Sequence, residues 1–103
     1  MAYEITWTRI GLESLEHAVR RIATDKPFAA ETFRESVNLT VDPLALFPQL
    51  GQTFKAGGIA NLRELYCEPY RIYYRVLASK SSVQILLLWH ASREDPSRAD
   101  LLS

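Results

Sequence analysis

Arg71, Tyr73 and Arg75 alternate with Tyr70, Ile72, Tyr74 and Val76, and His90 and Arg93 follow the next apolar run. Period-two alternation puts Arg71, Tyr73 and Arg75 on one side of a strand and the apolar set on the other. Metal-free RNA cleavage needs a base for a 2'-hydroxyl, a positive group for the charged phosphorane and an acid for the leaving oxygen. Arg71 and Arg75 can hold a phosphate with always-charged forks, and Arg93 can add a third contact. His90, as an imidazole able to take up or release a proton, is the available general acid or base. The same residues suit a second role, in which the arginines pair with acidic side chains of a partner or with Glu64 and Glu68, and His90 caps the strand end. Tyr73 shares parity with the arginines and can stack or donate, whereas Tyr70 and Tyr74 read as sheet packing. A sheet face carrying guanidiniums and a phenol is expected to be a contact surface for a charged partner.

The remaining reactive side chains carry little. His17 lies on the polar side of a helical pattern, and with only two histidines and no carboxylate at ligand spacing no metal site is expected. Cys67 is the only cysteine. It excludes an intramolecular disulfide and reads as a structural thiol. Gly57-Gly58 lacks the Lys-Ser/Thr of a phosphate-binding loop and reads as a turn. No cofactor is expected.

Those side chains must be positioned by a chain of 103 residues, read as one domain over residues 1–103. Apolar residues make up 48% and charged ones 23%, the balance of a folded globular protein. Basic and acidic residues number 12 each, which argues against binding polyanions through bulk charge. The basic residues lean toward the second half, where a local patch can form. The start of the chain has no signal-peptide pattern, and Ile85 to Trp89 is too short to span a bilayer, so a soluble, cytoplasmic protein with no membrane partner is expected.

Tyr3, Ile5 and Trp7 alternate with polar residues and predict a first strand, with Thr8 free to cap the next element. Leu12, Leu15, Val19 and Ile22 predict that element to be an amphipathic helix from about Gly11 to Asp25. Pro27 opens a second helix along Ala30, Phe33, Val37, Val41 and Leu44, and Pro43 should stop it. Residues 45–60 read as a connection of low order. Leu62–Tyr66, Tyr70–Leu77 and Val83–Trp89 read as three antiparallel strands, the last apolar at nearly every position and therefore central and covered on both faces. A short terminal helix after Pro96, with Asp95 as its cap, completes the reading. The expected fold is α+β: an N-terminal strand, a two-helix hairpin and a three-stranded antiparallel meander, with the helices on one face of the sheet.

These elements together resemble the RelE/ParE superfamily, the toxin halves of type II toxin-antitoxin or plasmid-stabilisation modules. The matching residues are Trp7-Thr8, Pro27 with Ala30, Pro48 and Gly51, Arg63-Glu64-Leu65, Tyr70 to Val76, and His90 with Arg93. The resemblance covers nearly the whole chain and is nearer the ParE-like side, with its Arg-Glu-Leu and His-x-x-Arg elements in place. RelE-like members place lysines on the strand before the Tyr-Arg motif and a tyrosine near the C-terminus. Here Leu62, Arg63 and Glu64 stand at the former, and no tyrosine follows Tyr74. The resemblance implies a toxin that inhibits DNA gyrase and is held by a cognate antitoxin, with Arg63, Arg71, Tyr73, Arg75 and Arg93 meeting target or antitoxin. The alternatives it leaves are a ribosome-dependent mRNA endoribonuclease working through Arg71, Arg75, His90 and Arg93, and an inactive member that only binds a partner or forms a homodimer.

Overall fold

The computed structural model describes residues 2–102. The chain runs β1 (Glu4–Trp7), α1 (Arg9–Asp25), α2 (Pro27–Val41), β2 (Gln52–Thr53), β3 (Leu62–Cys67), β4 (Tyr70–Leu77), β5 (Ser82–His90) and α3 (Arg98–Leu102). Thr8 caps α1 as its residue type predicts, its side-chain oxygen accepting from the Gly11 N–H. Lys26 breaks the helix, and Pro27 restarts it at the first position, where a missing N–H costs nothing. Pro43 ends regular helix, and Asp42–Ala45 tightens into a single 3-10 turn. Arg34 reaches back from α2 to grip both carboxylate oxygens of Glu16 on α1, at 2.7 and 3.1 Å. This forked pair fixes the hairpin and holds the Glu16 carboxyl below its ordinary range.

The strands form one five-stranded sheet in the order β1-β5-β4-β3-β2. The meander β3-β4-β5 is antiparallel, as expected, and β1 lies parallel to β5. The sheet therefore gains two members beyond the expected meander, because β1 joins it and residues 45–60 contribute the short strand β2. That connection is also better ordered than its prolines and glycines suggest. The Tyr74 hydroxyl donates to the Pro48 carbonyl and accepts from the Gly51 N–H, both at 2.8 Å, and the Arg63 guanidinium donates to the Gly51 carbonyl at 2.7 Å.

Two apolar clusters lie on opposite faces of the sheet. The larger packs Leu15, Val19, Phe33, Val37 and Leu44 from the helical side against Tyr70, Ile72, Tyr74, Val83, Ile85 and Leu88. The smaller gathers Ile59, Leu62, Tyr73, Leu86, Leu87, Trp89 and Leu101 on the far face, under residues 54–61 and the C-terminal segment. Both faces of β5 are thus covered, which accounts for its unbroken apolar run. Leu12 is 48% exposed and does not join the buried stripe of α1.

Candidate functional site

The register of β3 on β4 places Leu62, Glu64 and Tyr66 opposite Arg75, Tyr73 and Arg71. Directly opposed residues share a face. Glu64 and Tyr66 therefore stand beside Arg71, Tyr73 and Arg75 on the far face, while Arg63 points to the helical side. On β5, Leu86 is an extra residue: Tyr73 pairs with Leu87 and Tyr74 with Ile85. This bulge reverses the parity of the rest of the strand, so Trp89 joins the face of Arg71 and His90 joins that of Tyr70.

The face expected to be open is closed. Arg71 is 8% exposed and Tyr73 is fully buried. Arg71 donates from one terminal nitrogen to Asp95 Oδ1 at 2.9 Å and from the other to the Arg93 carbonyl at 3.0 Å. Asp95 is therefore the acidic partner of Arg71, in place of Glu64 or Glu68, and it is not the cap of the terminal helix. Ser97 takes that position, its hydroxyl accepting from the Asp100 N–H while Asp100 Oδ2 accepts from the Ser97 N–H and hydroxyl. Burial opposes the Arg71 charge, but the Asp95 hydrogen bond and the nearby Tyr73, Asp95 and Glu64 offset it, leaving the guanidinium pKa above its usual value. Burial, followed by the charge of Glu64, pushes the Tyr73 phenol far above its ordinary range. The charge of Glu64, followed by its carboxylate accepting from the phenol, raises Tyr66, which is 57% exposed.

The other candidates separate. The Arg93 guanidinium carbon sits over the Trp89 ring, 3.5 Å from its centroid, on the far face with Arg71. Arg75 is half-buried and donates from Nε to Gln84 Oε1 at 2.8 Å, beside a small cleft shared with Thr8, Arg9 and Leu101. Four residues at about 3.3 Å each put the Arg71 and Arg75 backbones roughly 13 Å apart, and their guanidiniums are held by different partners, Asp95 and Gln84. Arg63 is engaged by the backbone of the 49–51 connection. His90 meets the Tyr70 ring edge-on at 5.2 Å and borders a groove with Arg21, Asp25 and Lys26 on the helical side. Its Nδ1 lies 2.7 Å from the Ser92 hydroxyl and 3.2 Å from the Ser92 N–H, so it closes the strand end. Sequence parity named Glu64 as a possible partner but left open that Glu64 and Tyr66 share this face, since nothing local fixes the register of β3. Burial also pushes the Cys67 thiol up, against an opposing Thr40 hydrogen bond, as befits an inert interior sulfur.

A family model described as the ParE toxin of type II toxin-antitoxin systems, parDE, matches residues 5–95. The chain belongs to the ParE toxin family. No curated protein matches it by sequence. Among solved structures, a chain of the chromosomal ParDE system from P. aeruginosa superposes with a TM-score of 0.72 at 20% identity, over 88% of this chain and 98% of its own. The toxin-antitoxin complex RelBE2 from Mycobacterium tuberculosis gives 0.61 at 19% identity, over 87% and 99%. A RelE toxin mutant from E. coli in the free state gives 0.59 at 20%, over 89% and 86%. At these identities the likeness shows the fold: the ParE family chain shares one architecture with RelE-type toxins. Among the described residues no helix is long and apolar enough to cross a membrane, and no cluster of His, Cys, Asp and Glu could hold a metal ion.

Proposed function

We propose that this ParE family chain is a cytoplasmic toxin that acts by binding a protein target, DNA gyrase, and is neutralised by a cognate antitoxin. The observation that carries this reading is the separation of His90 from the arginines. Metal-free cleavage needs a proton-transfer group and the phosphate-holding groups around one reacting phosphate, within hydrogen-bond reach. Here the imidazole lies on the helical side with Tyr70, whereas Arg71 and Arg93 lie on the far face. Exposed apolar side chains instead supply a surface for protein. Phe28 is 92% exposed and Leu39 74% on α2, and Leu46, Phe47 and Leu50 project from the connection. An antitoxin helix or strand laid along the hairpin would bury them.

In a supercoiling assay with purified gyrase, the chain is expected to inhibit at micromolar concentration, and its partner from the adjacent reading frame to relieve that inhibition. Unchanged supercoiling would overturn the gyrase assignment. The ribonuclease alternative draws support from Glu64, Tyr66, Arg71 and Tyr73 on one face. Primer extension on translated mRNA separates the two, since codon-positioned cuts lost on Arg71→Ala would require the nuclease reading.

A further inference from the structure

We propose that residues 91–97 form a self-masking strap, in which Asp95 occupies on Arg71 the place of a carboxylate supplied by an acidic, apolar-anchored segment of a protein partner. The strap has no regular secondary structure and its residues are exposed, apart from the buried Pro96. It is held at separate points: Arg93 stacks on Trp89, the Trp89 indole N–H donates to the Glu94 carbonyl at 2.7 Å, and Asp95 meets Arg71. Beyond it, Leu101 plugs the far-face cluster at 1% exposure, six residues after the carboxylate that meets the buried guanidinium.

The closed strap leaves polar groups unsatisfied. Arg71 Nε and the Tyr73 hydroxyl are buried and have no partner among the described residues. Opening the strap exposes a floor of Arg71, Tyr73 and Trp89, and hydration of the two unsatisfied groups offsets part of the cost of uncovering Trp89 and withdrawing Leu101. The Asp95 side chain is 70% exposed against 9% for Arg71, so the carboxylate approaches from solvent and can leave the same way. Glu64 lies on the same face and acts on the Arg71 charge, so the guanidinium keeps some compensation while the strap is open. The strap itself defines the chemistry of a displacing segment: a carboxylate for the Arg71 fork, followed about two helical turns later by an aliphatic side chain for the Leu101 site. A protein segment fits this better than nucleic acid, since the anchor site is apolar and Glu64 would repel a second phosphate.

Hydrogen exchange on the full chain tests the mask. Asp95→Asn is expected to speed exchange across residues 91–102 by about tenfold while β4 and β5 keep their protection, and Asp95→Glu to restore the slow rate. A second readout uses an acetylated peptide carrying residues 91–102, added to the full-length Asp95→Asn protein in a Trp7→Phe background, where Trp89 is the sole tryptophan. A saturable change in Trp89 emission is expected, about tenfold weaker with asparagine at the peptide's aspartate position and weaker again against the unmutated strap. Unchanged exchange in Asp95→Asn, protection lost equally throughout the sheet, or no peptide response would each overturn the proposal.

Discussion

The Tyr74 hydroxyl ties the long connection to the sheet by donating to Pro48 and accepting from Gly51. Its ring is fully buried, and a Cβ on Gly51 would sit 2.8 Å from that hydroxyl, so no larger residue fits the turn without a shift. Tyr74→Phe keeps the ring and strands the buried Gly51 N–H, which should cost about 1–3 kcal/mol in urea unfolding. The same variant should loosen Leu46, Phe47 and Leu50, seen as faster hydrogen exchange over residues 46–53. A stability equal to wild type would mean that the hydroxyl bonds contribute nothing. Tyr74 was legible as a packing residue from its parity, but its polar duty was not, because the partners lie more than twenty residues away. Arg71 shows the converse. Its side of the strand was readable, whereas its partners are Asp95 and the Arg93 carbonyl, in a polar segment whose composition does not predict a cover for the sheet.

Helix α1 sits on β5 through three small residues at its N-terminal end. Thr8 Oγ1 lies 3.3 Å from the Ile85 carbonyl, Ser14 Oγ accepts from the Leu88 N–H at 2.9 Å, and Gly11 passes so close that an added Cβ would fall 2.6 Å from the Ile85 oxygen. These contacts flank Leu86, where the bulge takes β5 out of step with β4. Gly→Ala inside a helix ordinarily stabilises by about 1 kcal/mol. Here the obstruction is backbone and cannot turn aside, so Gly11→Ala should destabilise by about 1–3 kcal/mol, measured by thermal unfolding. A stabilised variant would show that the helix can lift off the strand. Both helices and the three meander strands were legible because their apolar periods are long and clean. Neither β2 nor the bulge was, since a two-residue strand has no period and an extra residue inside an all-apolar run leaves no mark. That bulge is what carries His90 away from Arg71, so the composition of the candidate site could be read but not its assembly.

The sheet interior holds phenols and a thiol whose neutral forms burial favours, and together they weaken the fold at alkaline pH. Burial raises Tyr73, Tyr74 and Cys67 above their ordinary values, with the Gly51 N–H bond opposing it at Tyr74 and Thr40 at Cys67. In the unfolded chain these groups ionise at their usual values, about 8.5 for the thiol and about 10 for the phenols. Above those values the unfolded state binds fewer protons than the native state, so stability falls as pH rises. Stability should therefore be flat through neutrality as far as these groups are concerned, and decline from about pH 9 upward. Tyr73→Phe isolates the most strongly shifted contributor. Its hydroxyl has no partner among the described residues, so removing it should leave neutral-pH stability unchanged or raised, while the fall in unfolding midpoint above about pH 10 becomes shallower. Urea midpoints at pH 7 and pH 10.5 for both proteins measure the difference directly. An equal alkaline fall in the two would mean that the Tyr73 phenol ionises in the folded protein as freely as in the unfolded one, and that the far-face cluster admits water around it.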